Sequence, residues 1–301
     1  MHIFDQTVAS LQSAICLYIL LNWQREKVLG NFINQINNNT LGAGLAKHYS
    51  LIRNTRLVMF TTVSVWTFGW IAYFGLFYAW NHSCWPGVAF NLFVDPNLNL
   101  AAFLIVVYSE ICCIVAKTFM ALTYVIILVE FLSLNIDLVN DVNLNQLAVQ
   151  RHYFGIHGKL RQTLQYLNQS YQPFNTATLV LDASLIQLNT LVLLSQPVEL
   201  FDAIFAATTT SFAFIEILFL ASLSTCLKAK VRFIFDRIHY LSATSLHWEH
   251  EVKKSTFYLQ SMNLFQAGIA VGLSSTLTVN TLIKGLVGFS MITGFLITFR
   301  V

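Results

Sequence analysis

Long apolar stretches alternate with polar segments along the whole chain. A transmembrane helix needs about 20 mostly apolar residues, and five stretches reach that length, while a sixth, 8–23, is shorter and carries Gln12. The pattern predicts an all-α fold, a polytopic transmembrane helical bundle. The six predicted spans are 8–23, 56–80, 100–122, 175–195, 201–227 and 272–299.

Composition favours a membrane protein over a soluble one. Hydrophobic residue types make up 56% of the 301 residues and charged types only 10%, whereas a soluble domain has about 25% charged residues. So few charges would not cover the surface of a soluble core this apolar. A net charge of +3 does not indicate nucleic-acid binding, because the basic residues are segregated along the chain rather than clustered in a patch.

The placement of the basic residues predicts the topology. Fourteen of the 17 Lys and Arg residues lie in the segments 24–56, 136–174 and 228–262, and the alternate segments 1–7, 81–99 and 196–200 contain none. Because cytoplasmic loops carry an excess of Lys and Arg, the three basic segments are expected in the cytoplasm. The segment 81–99 is then exterior, where the acceptor sequence Asn81-His-Ser83 suits glycosylation.

Six spans with cytoplasmic basic segments place both termini outside. An exterior start of seven residues without a signal peptide is awkward to translocate. Either the first span inserts as a reverse anchor, or an upstream helix is missing; we favour a missing helix.

The cytoplasmic segments are long and are expected to be helical rather than disordered. Within 136–172, apolar residues recur at helical intervals: Leu138, Val142, Leu147, Tyr153, Leu160, Leu164 and Leu167. The sequence therefore predicts one transmembrane domain, 1–301, with a cytoplasmic helical anchor. The anchor is expected from segments 24–55, 123–174 and 228–271.

No motif indicates catalysis. The chain lacks Walker, GxGxxG, HExxH and GxSxG patterns, and the pair His247 and His250 lacks a third ligand. The five cysteines lack metal-ligand spacing. We therefore expect no enzyme activity, no metal and no cofactor.

The end of the chain resembles the insect gustatory receptors, a branch of the seven-transmembrane chemoreceptors. That family's last helix opens with a small-Gly-Leu/Phe pattern, matched by Ala270-Val-Gly272-Leu273, and closes with Thr-Tyr, five apolar residues and Gln. Here the closing segment begins at Thr293, and Gly294 and Arg300 stand where the family has Tyr and Gln. The six spans resemble the family's second to seventh, and the lead-in Phe257–Met262 is also similar.

The resemblance implies a ligand-gated, non-selective cation channel in the plasma membrane of sensory neurons, assembled as a homo- or hetero-tetramer and opened by a small-molecule tastant. The last helix of each subunit would line the pore, with Gly272 at its start, Thr293 in its late part and Arg300 near the exterior mouth. Polar residues punctuate this helix, and polar groups at bilayer depth face protein or water, so helix packing alone is the other interpretation. A closed pore would need an apolar constriction, for which the candidates are Leu286, Phe289 and Ile292.

Candidate ligand contacts combine aromatic and acidic residues of the outer half. Trp70, Tyr73 and Phe77 lie on one side of their predicted span, with Tyr108 opposite; lipid contact or packing is their alternative role. Glu110 and Glu216 fall near mid-depth, where ionisable groups usually face a cavity. Lys117 and Asp182 lie closer to the cytoplasmic side and are expected to form a structural ion pair.

Two alternatives stay open at this point. A non-conducting, truncated receptor-like protein is favoured by the absent first helix and by Gly294 and Arg300, since four arginines at a pore mouth would oppose cations. Snorkelling of Arg300 to the lipid headgroups is the simpler reading of that residue. A small-solute transporter is the other alternative, but such carriers usually have internal repeats and broken helices.

Overall fold

A computed structural model describes residues 2–38, 96–143, 146–195, 200–244, 267–272 and 275–298, together with a set of helical positions between 53 and 72. The described chain is mostly α-helical. Its helices are α1 (His2–Arg25), α2 (Val28–Asn38), α3 (Pro96–Asn140), α4 (Leu147–Ser195), α5 (Leu200–Thr244) and α6 (Val279–Thr298). A short hairpin, β1 (Ile269–Val271) and β2 (Ser275–Leu277), lies directly before α6.

The three central helices are longer than a membrane is thick. α3, α4 and α5 contain 45, 49 and 45 residues, so at about 1.5 Å per residue each is about 70 Å long. The hydrocarbon core of a bilayer is about 30 Å thick. Each helix is therefore long enough for one span and a long extension.

Two helices of the described chain are long and apolar enough to cross a membrane, within Ile111–Asn140 and Ala206–Ile234. The N-terminal halves of α3 and α5, which are the outer halves in the predicted topology, expose large apolar side chains. These include Leu104, Ile105, Phe119, Ile204, Phe214, Ile215 and Phe219. Contiguous apolar surface of this kind indicates contact with lipid or with another protein.

The core lies in the C-terminal halves of α3 and α5 and the N-terminal half of α4. We call these the inner halves, because they carry the basic residues that are predicted to be cytoplasmic. Phe131 of α3, Leu160, Leu164 and Leu167 of α4 and Leu227 of α5 are almost fully buried there. Spacing of four and three residues on α4 puts these leucines on one face. α1 closes this core through Trp23, whose ring contacts Tyr171 and Phe174 at centroid distances of 4.5 and 5.4 Å.

Three details of the predicted elements differ in the structure. Val142 was expected on the apolar face but is 93% exposed, because it lies in the turn between α3 and α4 rather than within a helix. Pro173 lies inside α4, whereas the predicted span 175–195 begins after it. The helix predicted over 272–299 begins only at Val279. The preceding segment contains Gly268 and Gly272, whose positive φ angles of 127° and 62° suit a turn and not a helix.

Candidate functional site

The hairpin before α6 is built by residues that disfavour a continuous helix. β1 and β2 pair in antiparallel register, with Ala270 opposite Thr276 and Val271 opposite Ser275. Gly272 leaves β1 with a φ of 62°, a conformation that glycine adopts without steric cost. Residues 267–271 are buried, so their backbone groups need partners inside the protein.

Amide side chains of α4 bind the edge of β1 that faces away from β2. Asn168 donates from Nδ2 to the carbonyl oxygen of Gly268 (2.9 Å) and accepts at Oδ1 from the N–H of Ala270 (3.2 Å). Asn175 donates from Nδ2 to the carbonyl oxygen of Ala270 (3.2 Å). Both backbone groups of Ala270 are thus satisfied by helix side chains, which take the place of a neighbouring strand.

The hairpin turn is bound by two more residues of the same helix face. Gln172 donates from Nε2 to the carbonyl oxygen of Gly272, and the N–H of Gly272 donates to Thr176 Oγ1 (2.8 Å). Positions 168, 172, 175 and 176 follow the spacing i, i+4, i+7 and i+8, which brings them to one side of α4. A single polar stripe on α4 therefore holds the entire outer edge of β1 and its turn.

α3 and α5 complete this set of contacts. The Tyr124 hydroxyl of α3 donates to Asn168 Oδ1 (2.9 Å), and Ser224 Oγ of α5 accepts from the N–H of Ile269 (2.8 Å). A Cβ at Gly268 would lie 2.7 Å from Ser224 Oγ, so only glycine fits there. We call the following six residues the hairpin clamp: Tyr124, Asn168, Gln172, Asn175, Thr176 and Ser224.

Threonine side chains cap the start of α6. Thr278 and Thr281 form a reciprocal cap: the N–H of Thr281 donates to Thr278 Oγ1 (3.2 Å), and the N–H of Thr278 donates to Thr281 Oγ1 (2.6 Å). The N–H of Val279, which has no acceptor within the first turn of α6, donates to Thr225 Oγ1 of α5 (3.1 Å). The start of α6 is therefore bound to the hairpin and to α5.

α6 contacts the rest of the described chain on one side only. Val279 and Leu282 pack against the core, and Leu286, one turn further on, is half-buried. The opposite side carries Asn280, Lys284, Val287 and Met291, all of which are exposed. Their spacing of four, three and four residues makes one continuous stripe along the helix.

Three ionisable side chains meet between α3, α4 and α5. Lys117 donates from Nζ to Glu216 Oε2 (2.7 Å) and lies 3.9 Å from Asp182 Oδ1. The side chains of Lys117 and Glu216 are each 21% exposed and that of Asp182 is 5% exposed. The expected contact between Lys117 and Asp182 is present, and Glu216, expected at a ligand pocket, shares the same ammonium group. We call Lys117, Asp182 and Glu216 the ion triad.

The second oxygen of Glu216 is also enclosed by the protein. Glu216 Oε1 is buried and accepts no hydrogen bond from the described residues. Two carboxylates share one ammonium group, so the triad carries a net negative charge when all three groups are ionised.

His157 lies on α4, about three turns before Asn168, and is buried in the core. Its ring contacts Phe131 of α3 at a centroid distance of 5.6 Å, and it also forms a hydrogen bond with the backbone of Val231 of α5. Burial lowers the pKa of His157 to about 4, so the side chain is neutral at physiological pH. Nearby, Asp141 accepts a hydrogen bond from Tyr153, and burial together with this contact raises the pKa of Tyr153 to about 12.

The remaining predicted site residues are distributed over the chain. Tyr108 is exposed on α3, Glu110 also lies in α3, and Gly272 lies in the hairpin turn. Phe289, Ile292 and Thr293 lie in α6, while Leu286 is on its half-buried side. Five predicted residues lie outside the described residues: Trp70, Tyr73, Phe77, Asn81 and Arg300.

The hairpin clamp was not anticipated from the sequence. In the sequence, Asn168 belongs to Asn168-Gln-Ser170, which matches a glycosylation pattern but lies in a segment predicted to be cytoplasmic. The signal that was available is the spacing of Asn168, Gln172, Asn175 and Thr176 on one helix face. Such a polar stripe, continuous with the apolar face of a buried helix, indicates a polar partner inside the fold.

The chain has no match among models of known protein families or among curated proteins. Among the described residues, no three His, Cys, Asp or Glu side chains are grouped so that they could hold a metal ion. The structural features that bear on function are α6, the hairpin clamp and the ion triad.

Proposed function

We propose that this chain is a subunit of a chemosensory, ligand-gated cation channel in the plasma membrane, similar to the insect gustatory receptors. The observation that carries the proposal is the exposed stripe of α6. The helix has 20 residues, about 30 Å at its usual rise, which matches the hydrocarbon thickness. Asn280 and Lys284 would be costly in lipid unless they face water or another subunit.

Assembly around α6 satisfies this requirement. In a homo- or hetero-tetramer of related chains, four copies of α6 would surround a central axis and give their exposed stripes a shared aqueous path. The stripe then includes Val287 and Met291, so these residues replace Leu286 as the side chains nearest the axis. The half-buried side of α6 stays against its own subunit.

The hairpin clamp supports a mechanism for opening. Hydrogen bonds join β1 to α4 and α5 and the start of α6 to α5, and Tyr124 joins α3 to Asn168 of α4. A shift among these helices would therefore move the base of α6. A small-molecule tastant that binds on the outer side, near Tyr108 and the aromatic residues Trp70, Tyr73 and Phe77, would act through this connection. Ligand binding changes the population of open pores only if the open state binds the ligand more tightly.

The test is cysteine substitution along α6 in cells without background channels. Whole-cell current is recorded across a tastant panel, and a membrane-impermeant, cationic thiol reagent is then applied. Val287→Cys should lose most of its tastant-evoked current, while Leu282→Cys and the wild type, with its native cysteines, should keep theirs. An equal effect on Leu282→Cys and Val287→Cys would contradict the assignment of the stripe to the pore.

Assembly is checked on purified protein in detergent by mass photometry or light scattering. A tetramer supports the proposal and a stable monomer contradicts it. A tetramer that conducts neither as wild type nor as Arg300→Gln would instead favour the non-conducting, receptor-like protein.

The ion triad favours a second candidate, a small-solute carrier coupled to protons or cations. Ionisable groups within a membrane commonly mark ion pathways, and the triad has more carboxylates than ammonium groups. Uptake of radiolabelled solutes into proteoliposomes under a proton or sodium gradient tests this alternative. A carrier should be active as a monomer and lose coupling in Glu216→Gln, with the exposed Gln169→Ala as the matched control.

A further inference from the structure

A cavity of about 260 Å³ opens between the inner parts of α3 and α5. It is smaller than the pockets of about 300–1,000 Å³ that enclose a drug-sized ligand. Its walls include Ile136 and Val139 of α3 and Phe233 of α5, and all three side chains are exposed. A partly open site of this size suits a headgroup whose attached chains continue along the protein surface.

The polar groups of the cavity indicate the charge of its occupant. Lys230 lines it, and none of the lining residues carries a carboxylate. The cavity is therefore electropositive and favours an anionic group such as a phosphate.

Asn135 supplies a second, independent indication of a ligand. Its side chain lines the cavity and is 5% exposed. Nδ2 donates weakly to the carbonyl oxygen of Lys230 (3.4 Å), but Oδ1 is buried and no donor from the described part of the chain reaches it. Because a buried acceptor without a partner is unfavourable, the site favours an occupant that also carries a hydroxyl or ammonium donor.

The position along α5 indicates where this occupant comes from. The apolar stretch 201–227 ends at Leu227, and Lys228, Lys230 and Arg232 follow directly. In the proposed topology these residues lie where the inner leaflet meets the cytoplasm. Basic pockets between transmembrane helices at this level bind anionic lipid headgroups.

We propose that the cavity between α3 and α5 binds an anionic phospholipid of the inner leaflet. The phosphate lies near Lys230, and a hydroxyl or ammonium donor of the headgroup contacts Asn135 Oδ1. The acyl chains leave past Leu132 towards the bilayer, because Ile136, Val139 and Phe233 lie on the cytoplasmic side of Asn135 and Lys230. The inference rests on the topology of the proposed function, but not on conduction. The lipid would join α3 to α5 below the hairpin clamp.

The test uses purified full-length protein in mixed micelles, with bound lipid counted by native mass spectrometry. Phosphatidylserine carries both the negative charge and an ammonium donor, phosphatidic acid lacks the ammonium donor, and phosphatidylcholine has neither a net charge nor a donor. The expected order of retention is phosphatidylserine, then phosphatidic acid, then phosphatidylcholine. Glycerophosphoserine, the free headgroup without acyl chains, should not compete at equal concentration.

Three variants separate the site from general surface charge. Lys230→Gln should weaken phosphatidylserine binding about five-fold, whereas Lys228→Gln, an equal charge change two residues away, should leave it unchanged. Asn135→Ala should bind phosphatidylserine and phosphatidic acid equally. Unchanged thermal melting in lipid-free detergent shows that each variant is folded.

Several results would overturn the inference. These are equal loss of lipid in Lys228→Gln and Lys230→Gln, retention of phosphatidylcholine as strong as that of phosphatidylserine, or full competition by glycerophosphoserine. Lipid binding is measured without current recordings, so failure of the site and failure of the channel proposal are separately visible. A protein that binds the lipid as expected but does not conduct supports the site and contradicts only the channel.

Discussion

Replacing Asn168 by alanine removes three hydrogen bonds from the hairpin clamp at once. Asn168 accepts from Tyr124 and from the N–H of Ala270, and it donates to the carbonyl oxygen of Gly268. Both backbone groups lie in the buried segment 267–271. Alanine would leave them without these partners in a place that bulk water does not reach.

The size of the effect follows from those two orphaned groups. A buried polar group that loses its partner costs about 1–3 kcal/mol, so the hairpin should be destabilised by about 2–6 kcal/mol. At about 1.4 kcal/mol for each factor of ten, local opening should become about 30-fold to 10,000-fold more frequent. The upper end is reached only if the free energy of global unfolding exceeds it.

Hydrogen exchange measured by mass spectrometry on a peptide covering residues 267–278 reads this opening directly. The matched control is Gln169→Ala, which removes an exposed amide from the adjacent position of α4 and should leave exchange unchanged. Peptides from α1 should exchange alike in both variants. If the peptide 267–278 exchanges at the same rate in Asn168→Ala and in Gln169→Ala, Asn168 does not hold β1 and the prediction is refuted.

Three further predictions concern the core, the hairpin and the pore. Burial lowers the pKa of His157 to about 4, whereas a histidine in the unfolded chain has a pKa near 6.5. Between these two pH values the unfolded state binds more protons than the folded state. About 3 kcal/mol of stability that is present above pH 6.5 should therefore be lost as the pH falls towards 4. Thermal melting against pH should be flatter in His157→Gln but not in His152→Gln, where the side chain is exposed. Gly268→Ala should destabilise the protein by about 1–3 kcal/mol, because its φ is 127° and the added Cβ meets the Ser224 hydroxyl of α5. The control is Gly285→Ala, which has open space at its Cβ position. In the same melting assay it should be neutral or stabilising by about 0.5–1 kcal/mol. Lys284→Gln should increase cation selectivity, read from the reversal potential in asymmetric salt, because rings of lysine favour anions; an unchanged reversal potential would place Lys284 away from the ion path.

The predicted long helices followed from local patterns that need no knowledge of the fold. α3 and α5 contain the apolar stretches 100–134 and 201–227, and the regular spacing of Leu160, Leu164 and Leu167 marked a buried face. Apolar length and periodicity are properties of neighbouring residues, so a sequence displays them directly.

The ion triad was predictable in part. The sequence placed Lys117 and Asp182 at similar depth, because both lie closer to the cytoplasmic side of their predicted spans. It did not predict that Glu216 would be the nearer partner of Lys117, since the choice between two carboxylates depends on the rotation of each helix about its axis. That rotation is set by packing against the other helices.

The amino-acid sequence by itself determined that this protein is helical and apolar, with long helices, and that its cationic residues lie in alternate segments. Only the tertiary structure decided that residues 269–277 form a hairpin and that Asn168 holds it. The Ala270 N–H and the Asn168 side chain are 102 positions apart, and their contact exists only after α4 and the hairpin are brought together. Helical periodicity acts over three or four residues, whereas the satisfaction of a buried backbone amide depends on whatever the folded chain places beside it.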